Sequence, residues 1–178
     1  AGREGFMPGS QLTRRVGALL RNLFKMLRGT WGGSTRHLSA DVQPDEELTS
    51  YVFREDQIVR VTNTIHHSRL VPRRKHKSEP LEVSVCRSGE LTETQVWTIC
   101  STYFDVHAPK PAIGRGVGLA SAVFAENLAF DPDRKPYPQH ANITGWHDDF
   151  NKPDNELKHF WMAQAQRVAA QFLYSPGR

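Results

Sequence analysis

Residues 81–86 alternate strictly between apolar side chains and polar or small ones. A two-residue period is typical of a β-strand, in which successive side chains point to opposite faces of a sheet. The strand would place Leu81, Val83 and Val85 on one face and the residues between them on the other. Such a strand has to bury its apolar face against another layer of secondary structure.

A helix signal follows this strand directly. Ser88 and Gly89 are turn residues, Thr92 suits an N-cap, and Gln95 three positions later completes a capping box. We predict a helix that starts at Thr92 and ends before Pro109.

Weaker patterns complete the expected fold. Residues 51–53, 57–65 and 140–146 are predicted to be extended, the last of these as the final strand. A short Ala-rich helix is expected at 119–127, and a long C-terminal helix is expected with Asp154 as its N-cap. Because the order lacks a regular βαβ repeat, we predict an α+β domain. It would be a small mixed or antiparallel sheet covered by two main helices and preceded by a basic amphipathic N-terminal arm.

Charge is distributed unevenly along the 178 residues. Residues 1–40 contain seven basic residues and one acidic residue, which leaves 16 basic and 18 acidic residues in the rest of the chain. The formal net charge of +4 therefore comes from the N-terminal segment. Its apolar residues recur every three or four positions from Leu12 to Leu27, which predicts an amphipathic helix. We predict a basic arm at 1–40, an acidic linker at 41–48 and one globular domain at 49–178.

Three interpretations of the arm stay open. Residues 7–38 have the acid-poor, Arg- and Ser/Thr-rich composition of a mitochondrial transit peptide. Residues 12–28 would alternatively lie on anionic lipid or nucleic acid. In the third interpretation the segment is upstream sequence, and Met7 or Met26 is the true start. No apolar stretch approaches the roughly 20 residues of a bilayer crossing. We expect a cytoplasmic protein, or a mitochondrial matrix protein if the arm is a transit peptide.

The densest group of candidate binding residues lies at 65–77. Guanidinium groups offer forked donors for phosphate, and a histidine such as His66 can transfer protons near neutral pH. The alternative is a solvated, mobile loop between two strands, because short charge runs are usually surface features. The predicted anion-binding residues are Arg69, Arg73, Arg74 and Lys75.

A second polar group surrounds the expected final strand. Imidazole and carboxylate groups can hold a divalent metal, but the spacing matches no known zinc motif. Acidic residues are also favoured ahead of a helix, so a structural role in the turn is expected. No metal site and no cofactor are predicted. The group consists of His140, Asn142, Trp146, His147, Asp148 and Asp149.

Two other motifs are disfavoured as functional sites. The glycines of residues 114–118 precede a predicted helix, but a dinucleotide fingerprint needs Gly-x-Gly-x-x-Gly after a strand, and Pro109 and Pro111 stand there instead. The cysteines, Cys86 and Cys100, are too few for a disulfide framework. Cys100 is predicted to lie in the core rather than to act as a nucleophile.

Arg54, which follows residues 51–53, and Ser84 in the alternating strand resemble the arginine and serine of ADP-ribosyltransferase-like folds. In that family an early strand supplies the arginine and a later strand supplies the serine. Glu126 is a nominal candidate for the third motif. Residues 50–175 also resemble a family of small bacterial proteins without an assigned activity, which implies a compact domain and carries no function.

Two functions are consistent with these residues. The first is a small intracellular binding or accessory protein that contacts an anionic partner, either a macromolecule or a nucleotide, through the basic His/Arg loop. The alternative is a nucleotide- or RNA-directed enzyme that performs ADP-ribosyl transfer or phosphoryl chemistry. Arg54 and Arg73 would bind phosphate, His66 or His140 would serve as acid or base, and Ser84 would position a ribose.

Overall fold

A computed structural model describes residues 40–74, 76, 78–149 and 151–177. These residues form a mixed α+β structure with an antiparallel sheet, which confirms the predicted class. They belong to a compact unit that spans Ser39–Arg178. Residues 1–39, which include nearly all of the predicted arm, lie outside the described residues.

Eight strands of the described residues build the sheet. They are β1 (Glu47–Val52), β2 (Ile58–Val59), β3 (Thr64–Ile65), β4 (Val83–Arg87), β5 (Gly114–Leu119), β6 (Ala129–Asp131), β7 (His140–Thr144) and β8 (Leu173–Pro176). Their spatial order is β2-β3-β8-β5-β1-β4-β7-β6, and all neighbouring pairs are antiparallel. The sheet is therefore larger than the small sheet expected from the sequence.

Helices of different lengths accompany the sheet. In the described residues they are α1 (Glu93–Ile99), the five-residue α2 (Ala120–Phe124) and the 16-residue α3 (Asp154–Ala169). Helix α1 continues as a π-helical turn at Cys100–Phe104 and a 3-10 turn at Asp105–His107, so the helical segment ends before Pro109 as predicted. None of the helices in the described part of the chain has the length and apolar character needed to cross a bilayer.

The main hydrophobic core lies between one face of the sheet and α3. Leu48, Val85 and Ile143 contribute from β1, β4 and β7 and are at most 1% exposed. Leu157 and Trp161 of α3 belong to the same buried cluster. Burying each large apolar side chain contributes roughly 1.5–3 kcal/mol. This core fixes which face of each strand points away from α3.

The opposite face carries α1. The Tyr51 hydroxyl donates a hydrogen bond to the carbonyl oxygen of Val96 at 2.7 Å. The Tyr51 ring also lies 6.1 Å from the Trp97 ring and 4.9 Å from the Phe104 ring, measured between centroids. The start of α1 is the predicted capping box: Gln95 N donates to Thr92 Oγ1 at 3.3 Å, and Thr92 N donates to Gln95 Oε1 at 2.9 Å.

The glycine-rich segment 114–118 belongs to strand β5. Its glycines make room for side chains of the core. A Cβ atom on Gly118 would lie 2.5 Å from Cδ2 of Phe172, and one on Gly116 would collide with Ile65. The strand was not predicted, because glycine has no intrinsic preference for a strand.

The acidic segment 41–48, expected to be a linker, packs on the domain. Val42 is 7% exposed and belongs to the core, and β1 begins at Glu47. Glu46 accepts hydrogen bonds from the buried Arg87 guanidinium at 2.6 and 2.9 Å.

Of the remaining predictions from the sequence, some agree with the structure and others do not. Residues 57–65 fold back as the hairpin of β2 and β3. The expected C-terminal helix is α3, but its N-cap is Pro153, and Asp154 is its first residue rather than its cap. Asn127 ends the segment after α2 with φ of 57°. The prediction that β7 is the final strand is wrong, because β8 follows α3 and pairs with β5.

Candidate functional site

A polar row crosses β4 and β7 on the sheet face opposite α3. Ser84 and Cys86 alternate with the core residues of β4, and their partners across the ladder are Asn142 and His140. Directly paired residues of an antiparallel ladder point to the same face. Ser84 is exposed, and its hydroxyl donates to Asn142 Oδ1 at 3.2 Å. Two of the residues that the sequence proposed for catalysis, Ser84 and His140, therefore share one face.

His140 is held by a carboxylate. Its Nδ1 lies 2.8 Å from Asp133 Oδ1, and the Tyr137 ring packs edge-on against the imidazole with centroids 5.4 Å apart. Burial alone would raise the pKa of Asp133, but the N–H of Lys135 and the His140 ring stabilise the carboxylate and lower it overall. With Nδ1 engaged, Nε2 is the nitrogen of His140 that can exchange protons with a ligand.

Glu82 extends the row toward the start of β4. It forms an isolated β-bridge with Arg73, so both side chains lie on the face that carries Ser84. Burial raises the pKa of the Glu82 carboxyl, and the nearby charges of Asp131 and Asp133 raise it further. Among the described residues the Glu82 carboxyl has no salt bridge, not even with Arg73.

Three arginines lie near one another, and one of them, Arg73, is bridged to Glu82 at the end of this row. The Arg69 guanidinium lies 5.4 Å from the centre of the Phe53 ring. Burial lowers the pKa of Arg69 to about 10, and the positive charges of Arg73 and Arg54 lower it in addition. Arg69 Nε is buried without a hydrogen-bond partner in the described part of the molecule. We call Arg54, Arg69 and Arg73 the arginine cluster.

Arg54 and Arg73 are more exposed than Arg69. Arg54 Nε lies 3.0 Å from Asp56 Oδ1, with both side chains 66% exposed, and such surface pairs contribute at most about 1 kcal/mol. Arg73 has no ion pair within the described ranges. Both guanidinium groups can therefore reorient toward a ligand at little cost.

Local hydrogen bonds hold the two loops that carry the cluster. The side-chain Oε1 of the buried Gln57 accepts from the N–H groups of Phe53 and Arg54 at 2.8 and 3.2 Å. The carbonyl oxygen of Gln57 accepts from His66 N at 2.7 Å. His66 in turn caps the 3-10 turn His67–Arg69, because its Nδ1 accepts from Ser68 N at 3.3 Å.

The described residues of the basic segment, 65–77, therefore pack in part on the domain and do not form one solvated loop. Arg74 donates to both carboxylate oxygens of Asp148, at 3.0 and 2.8 Å, and lies 3.1 Å from Asp154 Oδ1. These carboxylates raise the pKa of Arg74, the hydrogen bond to Asp148 being the main cause. Arg74 is thus paired with carboxylates of the protein itself. Lys75 lies outside the described residues.

The predicted site residues consequently fall into distinct groups. Arg54, Arg69 and Arg73 lie near one another, and Arg73 is bridged to Glu82 on the face that carries Ser84 and His140. His66 serves as a cap, and burial and the neighbouring His66 lower the pKa of His67. The second polar group separates: His140 and Asn142 join the row, Trp146 donates to the carbonyl oxygen of Ile143, His147 packs against Phe160, and Asp148 binds Arg74.

Sequence reasoning missed Glu82 and Asp133 as site residues. The alternation of residues 81–86 already put Glu82 on the face of Ser84, and this signal could have identified it. Asp133 stands in the Pro- and Asp-rich connection before β7, and its contact with His140 depends on how that connection turns back. No local pattern indicates this contact.

Neither cysteine is suited to act as a nucleophile. Burial raises the pKa of Cys86 to about 12, and burial together with Asp105 raises the pKa of Cys100. The thiolate is the reactive form, and the raised pKa values disfavour it at neutral pH. The predicted core position of Cys100 is confirmed by its 0% exposure.

A separate open groove of about 600 Å³ lies between α2 and the end of α3. Glu126 lines this groove and pairs with Arg167 at 2.7 Å. The groove contains none of the catalytic or anion-binding residues proposed from the sequence. No group of three or more His, Cys, Asp and Glu side chains suited to a metal ion is found within the described ranges.

Comparisons with known proteins do not identify the site. A scan against protein-family models finds no matching family, and searches of the curated proteins and of the solved structures find no match to this chain.

Proposed function

We propose that this protein binds a phosphate-bearing anion through Arg54, Arg69 and Arg73. The observation that carries the proposal is the half-buried Arg69 guanidinium, whose Nε is buried without a hydrogen-bond partner and which lies near two like charges with no counter-ion among the described residues. A buried charge destabilises a fold unless it is paired. An anionic ligand would supply the missing partner.

Phosphate suits this cluster better than a single carboxylate. Guanidinium groups bind phosphate oxygens through two parallel N–H bonds, and three of them can neutralise a dianion. The protein supplies its own carboxylates elsewhere: Asp148 and Asp154 pair with Arg74, and Glu46 pairs with Arg87. Arg69 and Arg73 are left for an external ligand.

In this proposal α1 and α3 are the two main helices that cover the sheet, and the ligand enters beside the exposed Ser84. The protein would act as a small binding or accessory module. The cytoplasmic location expected from the sequence stays a prediction.

Isothermal titration of the full chain with inorganic phosphate and pyrophosphate tests the proposal. We expect saturable binding that Arg69→Met and Arg73→Met each weaken at least about tenfold, because each removes a charge-assisted contact worth about 1.5–3 kcal/mol. Arg60→Met is the matched control, since Arg60 is exposed and pairs with Glu55. Absence of binding at millimolar phosphate, or equal losses in all three variants, would overturn the proposal.

The enzyme alternative is favoured by one observation, the His140–Asp133 pair on the face that carries Ser84. An oriented imidazole beside a phosphate site is suited to acid–base catalysis of phosphoryl chemistry. Chromatographic analysis of nucleotides and short RNA after incubation with the protein tests it. Turnover that His140→Gln abolishes without a loss of phosphate binding would support an enzyme, whereas no turnover with either substrate class would reject it.

A further inference from the structure

We infer that the ligand of the arginine cluster is a pentose phosphate, either free or as the ribose-phosphate part of a nucleotide, whose hydroxyl groups bind Glu82, Ser84 and Asn142. This inference rests on the proposed function, because the phosphate is taken to lie on Arg69 and Arg73. It adds a subsite for an uncharged part of the ligand.

The polar row lies within reach of a ligand anchored at Arg73. Arg73 is bridged to Glu82, Ser84 follows two residues later on the same face, and Asn142 is paired with Ser84. Two residues of a strand span roughly 6.6 Å, and directly opposite side chains are about 5 Å apart. A ligand anchored at Arg73 therefore reaches the row with a group about as large as one sugar ring.

Two groups of the row have unused hydrogen-bonding capacity. Asn142 accepts from Ser84 through Oδ1, whereas its amide nitrogen has no partner among the described residues and can donate to a ligand. The Glu82 carboxyl is likewise unbonded within the described part of the chain. Hydroxyl groups both donate and accept, so they can satisfy the amide and the carboxyl together.

The charges around the row also favour a ligand that is uncharged at one end. Asp131 pairs with Asn142 across the ladder, and Asp133 holds His140, so carboxylates surround the row on the side away from the arginines. A continuous nucleic-acid backbone across this face would bring its phosphates against these carboxylates. A ligand with phosphate at one end and neutral hydroxyls at the other avoids that repulsion. The raised pKa of Glu82 is consistent with a carboxyl that is readily protonated and can then donate to a hydroxyl.

The test compares ligands on the full chain by isothermal titration. The ligands are inorganic phosphate, ribose 5-phosphate and adenosine monophosphate. We expect ribose 5-phosphate to bind about tenfold more tightly than phosphate, equivalent to about 1.4 kcal/mol. If adenosine monophosphate binds more tightly still, the source of the ligand is a nucleotide; if it binds less tightly than ribose 5-phosphate, the source is a free sugar phosphate.

Variants separate this inference from the proposed function. Ser84→Ala and Glu82→Gln should reduce the affinity for ribose 5-phosphate to that for phosphate, while the affinity for phosphate itself is retained. Ser121→Ala and Glu90→Gln, at exposed positions away from the row, are the matched controls. Equal affinities for phosphate and ribose 5-phosphate in the wild type would overturn the sugar subsite and leave the phosphate site standing. Failure of both ligands to bind would overturn both proposals.

Discussion

Arg74 and Asp148, 74 positions apart in the chain, form a bidentate salt bridge with nitrogen-to-oxygen distances of 3.0 and 2.8 Å. The Arg74 side chain is 2% exposed and lies 5.9 Å from the Trp161 ring centre. The Asp148 bridge, together with the contact between Arg74 and Asp154, joins Arg74 to the segment before α3 and to the first residue of α3. Arg69, five residues earlier, has no carboxylate partner in the described part of the molecule and lies near the positive charges of Arg73 and Arg54 instead.

The two arginines should respond oppositely to the same substitution. Arg74→Met leaves the Asp148 carboxylate, 18% exposed, without its cation, and we expect a loss of about 3 kcal/mol in the free energy of unfolding. Arg69→Met removes an unpaired cation from beside Arg54 and Arg73 and should leave stability unchanged or raise it by up to about 1 kcal/mol. Urea unfolding of both variants measures this, and a comparable loss in Arg69→Met would contradict it.

The second prediction concerns the ion pair of Arg87 and Glu46. Arg87 is 1% exposed and donates to both carboxylate oxygens of Glu46. Arg87→Met should cost about 3 kcal/mol, because the Glu46 carboxylate, 15% exposed, loses its partner. The double variant Arg87→Met with Glu46→Gln should recover part of that loss. Thermal and urea unfolding of the three variants test the coupling, and strictly additive losses would show that the pair is not coupled.

The third prediction follows from the packing of β5. Gly118→Ala would place a methyl group 2.5 Å from Cδ2 of Phe172, which is fully buried, and should cost about 1–3 kcal/mol through overpacking. The double variant Gly118→Ala with Phe172→Leu should lose less stability than the sum of the two single losses, because the smaller leucine side chain leaves room for the added methyl group. Equilibrium unfolding of the two single variants and the double variant measures this coupling, and its absence would place the cause of the loss elsewhere.

Glu82 leads to a prediction about pH. Its pKa in the folded protein is raised by burial and by Asp131 and Asp133. Protonation of Glu82 therefore stabilises the folded protein. This contribution to the free energy of unfolding is fully present below the unfolded-state pKa of about 4.3, and it is lost as the pH rises through the higher folded-state pKa. Glu82→Gln should therefore be more stable than the wild type at pH 7, and the difference should vanish near pH 4. Urea titrations between these pH values measure it, with the exposed Glu90→Gln as control; a difference independent of pH would exclude the mechanism.

Local sequence rules predicted the elements that depend on neighbouring residues. The alternation of residues 81–86 placed Val83 and Val85 in the core, and Thr92 with Gln95 started α1 as a capping box. Both signals act over a few residues, so no knowledge of the remaining chain is needed. Strands β5 and β8 were missed for the opposite reason. Their pairing is non-local, and the glycines of β5 are explained only by the side chains of Ile65 and Phe172 that fill the space above them.

The sequence by itself determined which residue types were available: a run of arginines, a strand with Ser84 on its polar face, and a histidine at 140. Only the tertiary structure decided which of them lie close together. Arg74 is paired with Asp148, whereas Arg69 lies near Arg54 and Arg73 without a carboxylate partner among the described residues, and Asp133 holds His140 on the face that carries Ser84. The physical reason is that the state of a charge depends on its surroundings: identical guanidinium groups are paired or unpaired according to whether the fold brings a carboxylate to them.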